Sequence, residues 1–151
     1  MEIKLRKADP DQLKIPPETM SGVVFGTQFT DHMFCMEWED GKGWHNAEIK
    51  PYGPLLMEPS AMVLHYAQMA FEGLKAYQTD SGEHVLFRPR ENFKRMNRTA
   101  QRMCLPELDI EEVLAALKQL LCLDSGWVPH ESGTSLYIRP TIVATEEAIG
   151  L

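Results

Sequence analysis

Six cationic side chains, Arg88, Arg90, Lys94, Arg95, Arg98 and Arg102, fall in one short stretch with only Glu91 opposing them. The chain has 15 lysines and arginines in all, so this run concentrates its positive charge. On a helix, Arg95, Arg98 and Arg102 stand at i, i+3 and i+7 and share a face away from Phe93, Met96 and Met103. A guanidinium fork matches a phosphate or carboxylate through two parallel hydrogen bonds. The run is either an anion site or a solvated basic face paired with acidic neighbours, and the pattern leaves both open.

A second group is Ser135-Leu136-Tyr137-Ile138-Arg139-Pro140-Thr141. Strand side chains alternate, so Tyr137 and Arg139 would share one face, about 7 Å apart. A phenol and a guanidinium so placed can hold a carboxylate together; an exposed face with an incidental ion pair is the competing reading. Pro140 donates no ladder bond and argues for an edge or a bulge. A third group, Leu64 to Tyr77, reads as an aromatic helix end passing through Gly73 into a strand. By periodicity alone Tyr66 and Phe71 are core residues. Asp31, His32 and Cys35 are metal-ligand types, but no second ligand cluster accompanies them. No G-x-G-x-x-G, Walker A or G-x-S-x-G motif occurs.

The elements that would position these groups are legible in outline. Residues 29–39 and 44–50 form a hairpin candidate around Asp40-Gly41-Lys42-Gly43. Ser60 suits the N-cap of a helix over 61–71. Residues 74–79 and 84–88 form a second hairpin around Asp80-Ser81-Gly82. Pro89 opens a helix carrying Phe93, Met96, Ala100 and Met103 inward. Asp109 with Glu112 resembles a capping box before the apolar stripe of Ile110, Val113, Leu114, Leu117, Leu120 and Leu121. Gly126 is the expected stop, and residues 135–145 form the last strand. Hairpins grouped with helices predict an α+β fold with a largely antiparallel sheet and packed helices.

The 151 residues are about one domain, with 44% hydrophobic and 25% charged residues. Residues 1–20 are polar, contain three prolines, and are expected to be a partly mobile arm; the domain proper is expected over 21–151. No apolar run is long enough for a membrane span, and the N-terminus is not a signal peptide. A net charge of −7 disfavours nucleic acid as a partner. Three widely spaced cysteines read as reduced thiols in a cytoplasmic protein.

Three stretches together resemble a known family. They are Val24 to Met33; Leu64 to Tyr77 with its Phe71-Glu72-Gly73-Leu74-Lys75-Ala76 centre; and Leu86 to Met96 followed by Ser135 to Thr141. In this order they are similar to the branched-chain amino-acid aminotransferases of the fold-type-IV pyridoxal-phosphate enzymes, and specifically to their N-terminal small domain. The D-amino-acid aminotransferases and aminodeoxychorismate lyases share that fold group. The resemblance implies that Arg95 contacts the phosphate of pyridoxal 5'-phosphate. It implies that Tyr137 and Arg139 orient substrate carboxylates, and that Phe25, Tyr66 and Phe71 line a pocket for a branched aliphatic side chain. The residue matching Tyr66 reaches the partner subunit's site, which implies a homodimer. Substrates would be leucine, isoleucine and valine with glutamate, 2-oxoglutarate and related 2-oxo acids. None of the chain's lysines sits in a motif matching the Schiff-base lysine, so no catalytic residue is assigned and the 151 residues alone are expected to be inactive. The alternative is a stand-alone anion- or partner-binding domain without catalysis.

Overall fold

Turn chemistry sets the first hairpin. Strands β2 (His32–Glu39) and β3 (Gly43–Pro51) pair antiparallel with Trp38 opposite Trp44. Gly41 and Gly43 hold the tight turn at φ values of 75° and 74°, where a side chain would be strained. A register shift between Cys35 and Glu37 marks a bulge. Strand β1 (Lys4–Leu5) adds to the far edge of β3 in parallel. The computed structural model describes residues 1–150.

Helix α1 (Met62–Tyr66) is much shorter than the 61–71 expected from periodicity. Ala67 turns into the left-handed region at φ 51° and closes the helix, and Met69–Phe71 becomes strand β4. The cap is Ala61 rather than Ser60, without a side-chain bond. Strand pairing overrides helical spacing here: β4 runs antiparallel to β8 (Thr141–Val143), with Ala70 opposite Ile142, and both are buried. Strand β5 (Leu74–Gln78) pairs with β6 (His84–Leu86) as the expected second hairpin and with β7 (Leu136–Ile138) on its other edge. The single strand expected over 135–145 is therefore two, broken at Arg139-Pro140.

Helix α2 (Pro89–Arg102) starts on proline and buries Phe93, Met96 and Ala100. Helix α3 (Ile110–Leu123) is capped by Asp109, whose carboxylate accepts from the N–H groups of Glu111 and Glu112, and it buries Val113, Leu114 and Leu117. It ends at Leu123, before the expected Gly126. These two faces, with Ala70, Leu74 and Ile142 from the strands, form the main core. Burying each large apolar side chain contributes about 1.5–3 kcal/mol. All described strand pairings except β1–β3 are antiparallel, in keeping with the expected α+β class.

The N-terminal twenty residues touch the body at several points. Besides β1, the Ala8 N–H donates to His32 Nε2 at 2.8 Å, and Lys14 Nζ donates to the carbonyls of Phe29 and Thr30. The Met20 N–H donates to Glu131 at 2.9 Å.

Candidate active site

A ribbon of two antiparallel segments carries the site. Phe71 lies opposite Thr141 and Leu74 opposite Ile138, which is one continuous register. Glu72-Gly73 therefore lies across from Arg139-Pro140. Pro140 has no N–H to give, so the regular ladder lapses at this point. One bond survives, from the Glu72 N–H to the Pro140 carbonyl at 3.0 Å.

The lapse lets side chains gather. The guanidinium of Arg139 sits 4.4 Å over the Phe71 ring and 5.2 Å from the Tyr137 ring centre. Phe25 meets Tyr137 edge-on at 5.0 Å. Tyr137 lies so close over Gly73 that a Cβ there would fall 2.2 Å from the phenol oxygen. Arg139 has no ion-pair partner among the described residues. Phe25 and Phe71 are 73% and 55% exposed. The group is thus an open wall of two phenylalanines and a tyrosine with an unpaired cation on it. Such a wall can take an aliphatic chain on its rings and a carboxylate on its guanidinium.

Arg95 reaches the same ribbon by another route. Its Nε and Nη2 donate to the two oxygens of Glu72, at 2.5 and 2.7 Å. Glu72 is buried, and Asn92 and the Gly73 N–H also donate to it. The Arg95 hydrogen bond is the main reason its carboxyl lies below the usual carboxylate range; burial opposes, and Asn92 and Gly73 add to the lowering. A carboxyl whose folded pKa is depressed contributes stability above its unfolded value of 4.5 and loses it as pH falls through the folded value. Glu72→Gln should accordingly flatten the acid limb of a melting-temperature profile below about pH 4.5; an unchanged limb would show that Glu72 contributes nothing to it.

The basic run divides between its two readings. Arg90 forms a two-pronged pair with Glu111 at 2.7 and 2.8 Å, and Lys94 pairs with Glu91 at 2.9 Å. Those residues belong to a solvated, paired face. Arg95 alone of the run is tied to the ribbon. Two open hollows lie elsewhere, one of about 570 Å³ lined by Tyr77, Val85, Leu86 and Phe87, the other of about 390 Å³ beside His32 and Trp127.

Five of the six residues singled out from sequence are therefore linked: Phe25, Phe71, Tyr137 and Arg139 directly, and Arg95 through Glu72, the neighbour of Phe71. Tyr66 is not among them. It ends α1, is 40% exposed, and its nearest ring is that of His65, 6.3 Å away. Sequence reasoning missed Glu72, Gly73 and Asn92, although the acid and glycine directly after Phe71 were a visible signal. Asp31, His32 and Cys35 do not gather into a metal cluster among the described residues. Asp31 accepts from the Lys14 N–H and the Trp127 indole, and His32 is bound to Asp124.

No protein-family model matches the chain. It is 56% identical over 131 residues to branched-chain-amino-acid transaminase 1 of Bacillus subtilis, covering 87% of this chain and 37% of that protein. It is 49% identical over 135 residues to the cytosolic branched-chain-amino-acid aminotransferase of Saccharomyces cerevisiae, covering 89% of this chain and 36% of that protein. The structure superposes on a solved branched-chain amino acid aminotransferase complexed with N-(5'-phosphopyridoxyl)-L-glutamate. That match has a TM-score of 0.62 at 24% identity, over 82% of this chain and 36% of that one, and it supports the fold. It also superposes on the branched-chain amino acid aminotransferase from Escherichia coli, with a TM-score of 0.57 at 27% identity, over 70% of this chain and 33% of that one. The chain spans about two fifths of the length of the curated relatives it matches. A stand-alone non-catalytic domain is not favoured by relatives of this kind. The chain belongs to the branched-chain amino-acid aminotransferases, as the counterpart of their N-terminal small domain in the fold-type-IV architecture.

Proposed function

We propose that the protein containing this chain catalyses reversible, pyridoxal-phosphate-dependent amino transfer between leucine, isoleucine or valine and 2-oxoglutarate. Residues 21–151 supply its small domain. The carrying observation is the Phe25–Phe71–Tyr137–Arg139 group, joined through Glu72 to Arg95. Support also comes from the relatives' names and from the phosphopyridoxyl-glutamate held by one of the superposed aminotransferases.

The residues present fit the cofactor's phosphate at one point. Glu72 occupies only two of the five N–H groups of Arg95, and the side chain is 58% exposed, so a second edge of the fork is left for an anion. The cofactor, when bound, supplies the electron sink for amino transfer. Phe25 and Phe71 exclude water from the aliphatic side chain of the substrate. Arg139, held on Phe71 and beside Tyr137, answers the second carboxylate of glutamate or 2-oxoglutarate. Tyr66, exposed at the end of α1, serves the partner subunit's site in a homodimer. The 151 residues alone are expected to show no transaminase activity. A cytoplasmic location fits the yeast relative named cytosolic and the absence, among the described residues, of a helix long and apolar enough to cross a membrane.

Arg139→Ala in the full-length protein tests the division of labour. Losing a charge-assisted, paired contact should lower kcat/KM for glutamate by about 10–100-fold, while leucine changes severalfold at most. Equal losses for both substrates would remove Arg139 from carboxylate recognition. A substrate panel that preferred D-amino acids would overturn the branched-chain reading itself.

A further inference from the structure

Glu72 occupies an unusual position for a carboxylate. It is 6% exposed while Phe71, its neighbour, is 55% exposed. Oε1 accepts from Arg95 Nε at 2.5 Å. Oε2 accepts from Arg95 Nη2 at 2.7 Å, the Gly73 N–H at 3.1 Å and Asn92 Nδ2 at 3.3 Å. Asn92 also donates to the Gly73 carbonyl at 3.1 Å, which ties the same backbone segment to α2. Exposed ion pairs are ordinarily mobile and weak because two long side chains must be held for a small gain. Here one partner is already fixed from three sides: by α2 through Asn92, by the Gly73 N–H, and by the Pro140 carbonyl that holds its own N–H.

A fixed carboxylate fixes the guanidinium. Both Glu72 bonds fall on the Nε side of Arg95, so the rotation of the planar fork is set. The opposite edge, Nη1 with the outer Nη2 hydrogen, has no protein partner among the described residues. We propose that Glu72 is a positioning residue that orients Arg95 so that this free edge meets the phosphate of pyridoxal phosphate, and that it couples this anion contact to the Phe71-Glu72-Gly73 segment joining β4 to β5; the proposal rests on the cofactor reading of Arg95 given above.

Two effects of Glu72 on a bound phosphate oppose each other. Its charge repels the anion, but across the width of a guanidinium, at an exposed site, that repulsion is small. Its two bonds remove the rotamer freedom Arg95 would otherwise lose on binding, which is the cost that preorganisation avoids. Orientation therefore outweighs repulsion, and the sign of the Glu72→Gln effect reports which one wins.

The test is separate titration of pyridoxal phosphate, pyridoxal and inorganic phosphate onto the full-length protein and its variants, followed by tryptophan fluorescence or calorimetry. Glu72→Gln and Arg95→Ala should each weaken pyridoxal phosphate by about tenfold, the scale of one charge-assisted bond, and leave pyridoxal within about twofold. The double variant should bind no more weakly than Arg95→Ala alone, because both act through one contact. Tighter or unchanged binding of pyridoxal phosphate and inorganic phosphate by Glu72→Gln, with Arg95→Ala still defective, would overturn the positioning role and leave the cofactor reading standing. An Arg95→Ala variant with wild-type affinity would overturn both. Equal losses for pyridoxal and pyridoxal phosphate would assign Glu72 to folding instead. If Glu72→Gln does not fold, Asn92→Ala removes one bond to the carboxylate and should cost about threefold for pyridoxal phosphate alone; no loss, or equal losses for both ligands, overturns the proposal.

Discussion

Asp124→Ala should lower the free energy of unfolding by about 3–5 kcal/mol, read by urea titration at neutral pH. The expected size follows from two buried donors that lose one acceptor. Asp124 caps α3, and its carboxylate accepts from the His32 backbone N–H at 2.9 Å and from His32 Nδ1 at 2.6 Å. Both side chains are almost wholly buried. The Ala8 N–H donates to His32 Nε2 at 2.8 Å, so that nitrogen carries no proton and the ring donates through Nδ1. The imidazole thus links the N-terminal segment to the end of α3. Without Asp124, two donors remain with no protein partner at an almost wholly buried site. Asp124→Asn keeps one acceptor and presents an N–H₂ to the other donor, and should fall between. Hydrogen exchange at the Ala8 amide should quicken in both variants. A loss under about 1 kcal/mol for Asp124→Ala would mean that the site opens readily to water.

That link was not legible in the sequence, because His32 and Asp124 stand 92 positions apart. His32 beside Asp31 and Cys35 suggested ligand chemistry from local spacing, whereas its partners come from across the fold. What was legible rested on local physics. Asp109 caps α3, Pro89 opens α2, and the Gly41–Gly43 turn closes the first hairpin, each as its own chemistry dictates. The misplaced elements share a cause. Met62, Tyr66 and Met69 have helical spacing, yet Ala67 adopts the left-handed conformation that glycine usually supplies, so no stop signal was present to read. Pro140 did signal a break, but which strand lay on each side depended on β4 and β5.

The candidate site was legible through motif resemblance more than through spacing. Alternation placed Tyr137 and Arg139 on one face, and the 5.2 Å separation of ring and guanidinium agrees with that. Nothing in the pattern joined Phe25 to Tyr137, since that contact spans more than a hundred residues. For the basic run, spacing suggested a shared face for Arg95, Arg98 and Arg102. Only Arg95 is engaged with the ribbon, because only it meets a carboxylate that the ribbon buries. Long-range acid placement is what separated one arginine from the other five cations, and a helical wheel carries no such information.

Gly73→Ala should reduce kcat/KM of the full-length protein by about 10–100-fold while leaving its melting temperature nearly unchanged. The added Cβ would lie 2.2 Å from Tyr137 Oη and 2.9 Å from its Cζ, so the ring must move. That ring is half-buried, and its hydroxyl makes no hydrogen bond among the described residues, so it can swing away from the ribbon. The packing penalty is then about 1–2 kcal/mol, in the lower part of the usual range for overpacking. Restricting the unfolded chain by replacing glycine returns about 0.4–1 kcal/mol. Stability thus nearly balances, but geometry does not. Tyr137 holds Phe25 edge-on and flanks Arg139, so its displacement moves the aromatic wall and the guanidinium together. A shift of about 1 Å in a positioning group is enough for the stated loss of rate. Tyr137→Phe deletes the closest atom of the clash, and in the Gly73→Ala background it should recover part of the activity despite being mildly harmful alone. Such opposite effects identify a direct steric coupling between the two positions. Wild-type activity in Gly73→Ala would show instead that the site tolerates a displaced Tyr137, and the carboxylate-orienting role assigned to that ring would fall with it.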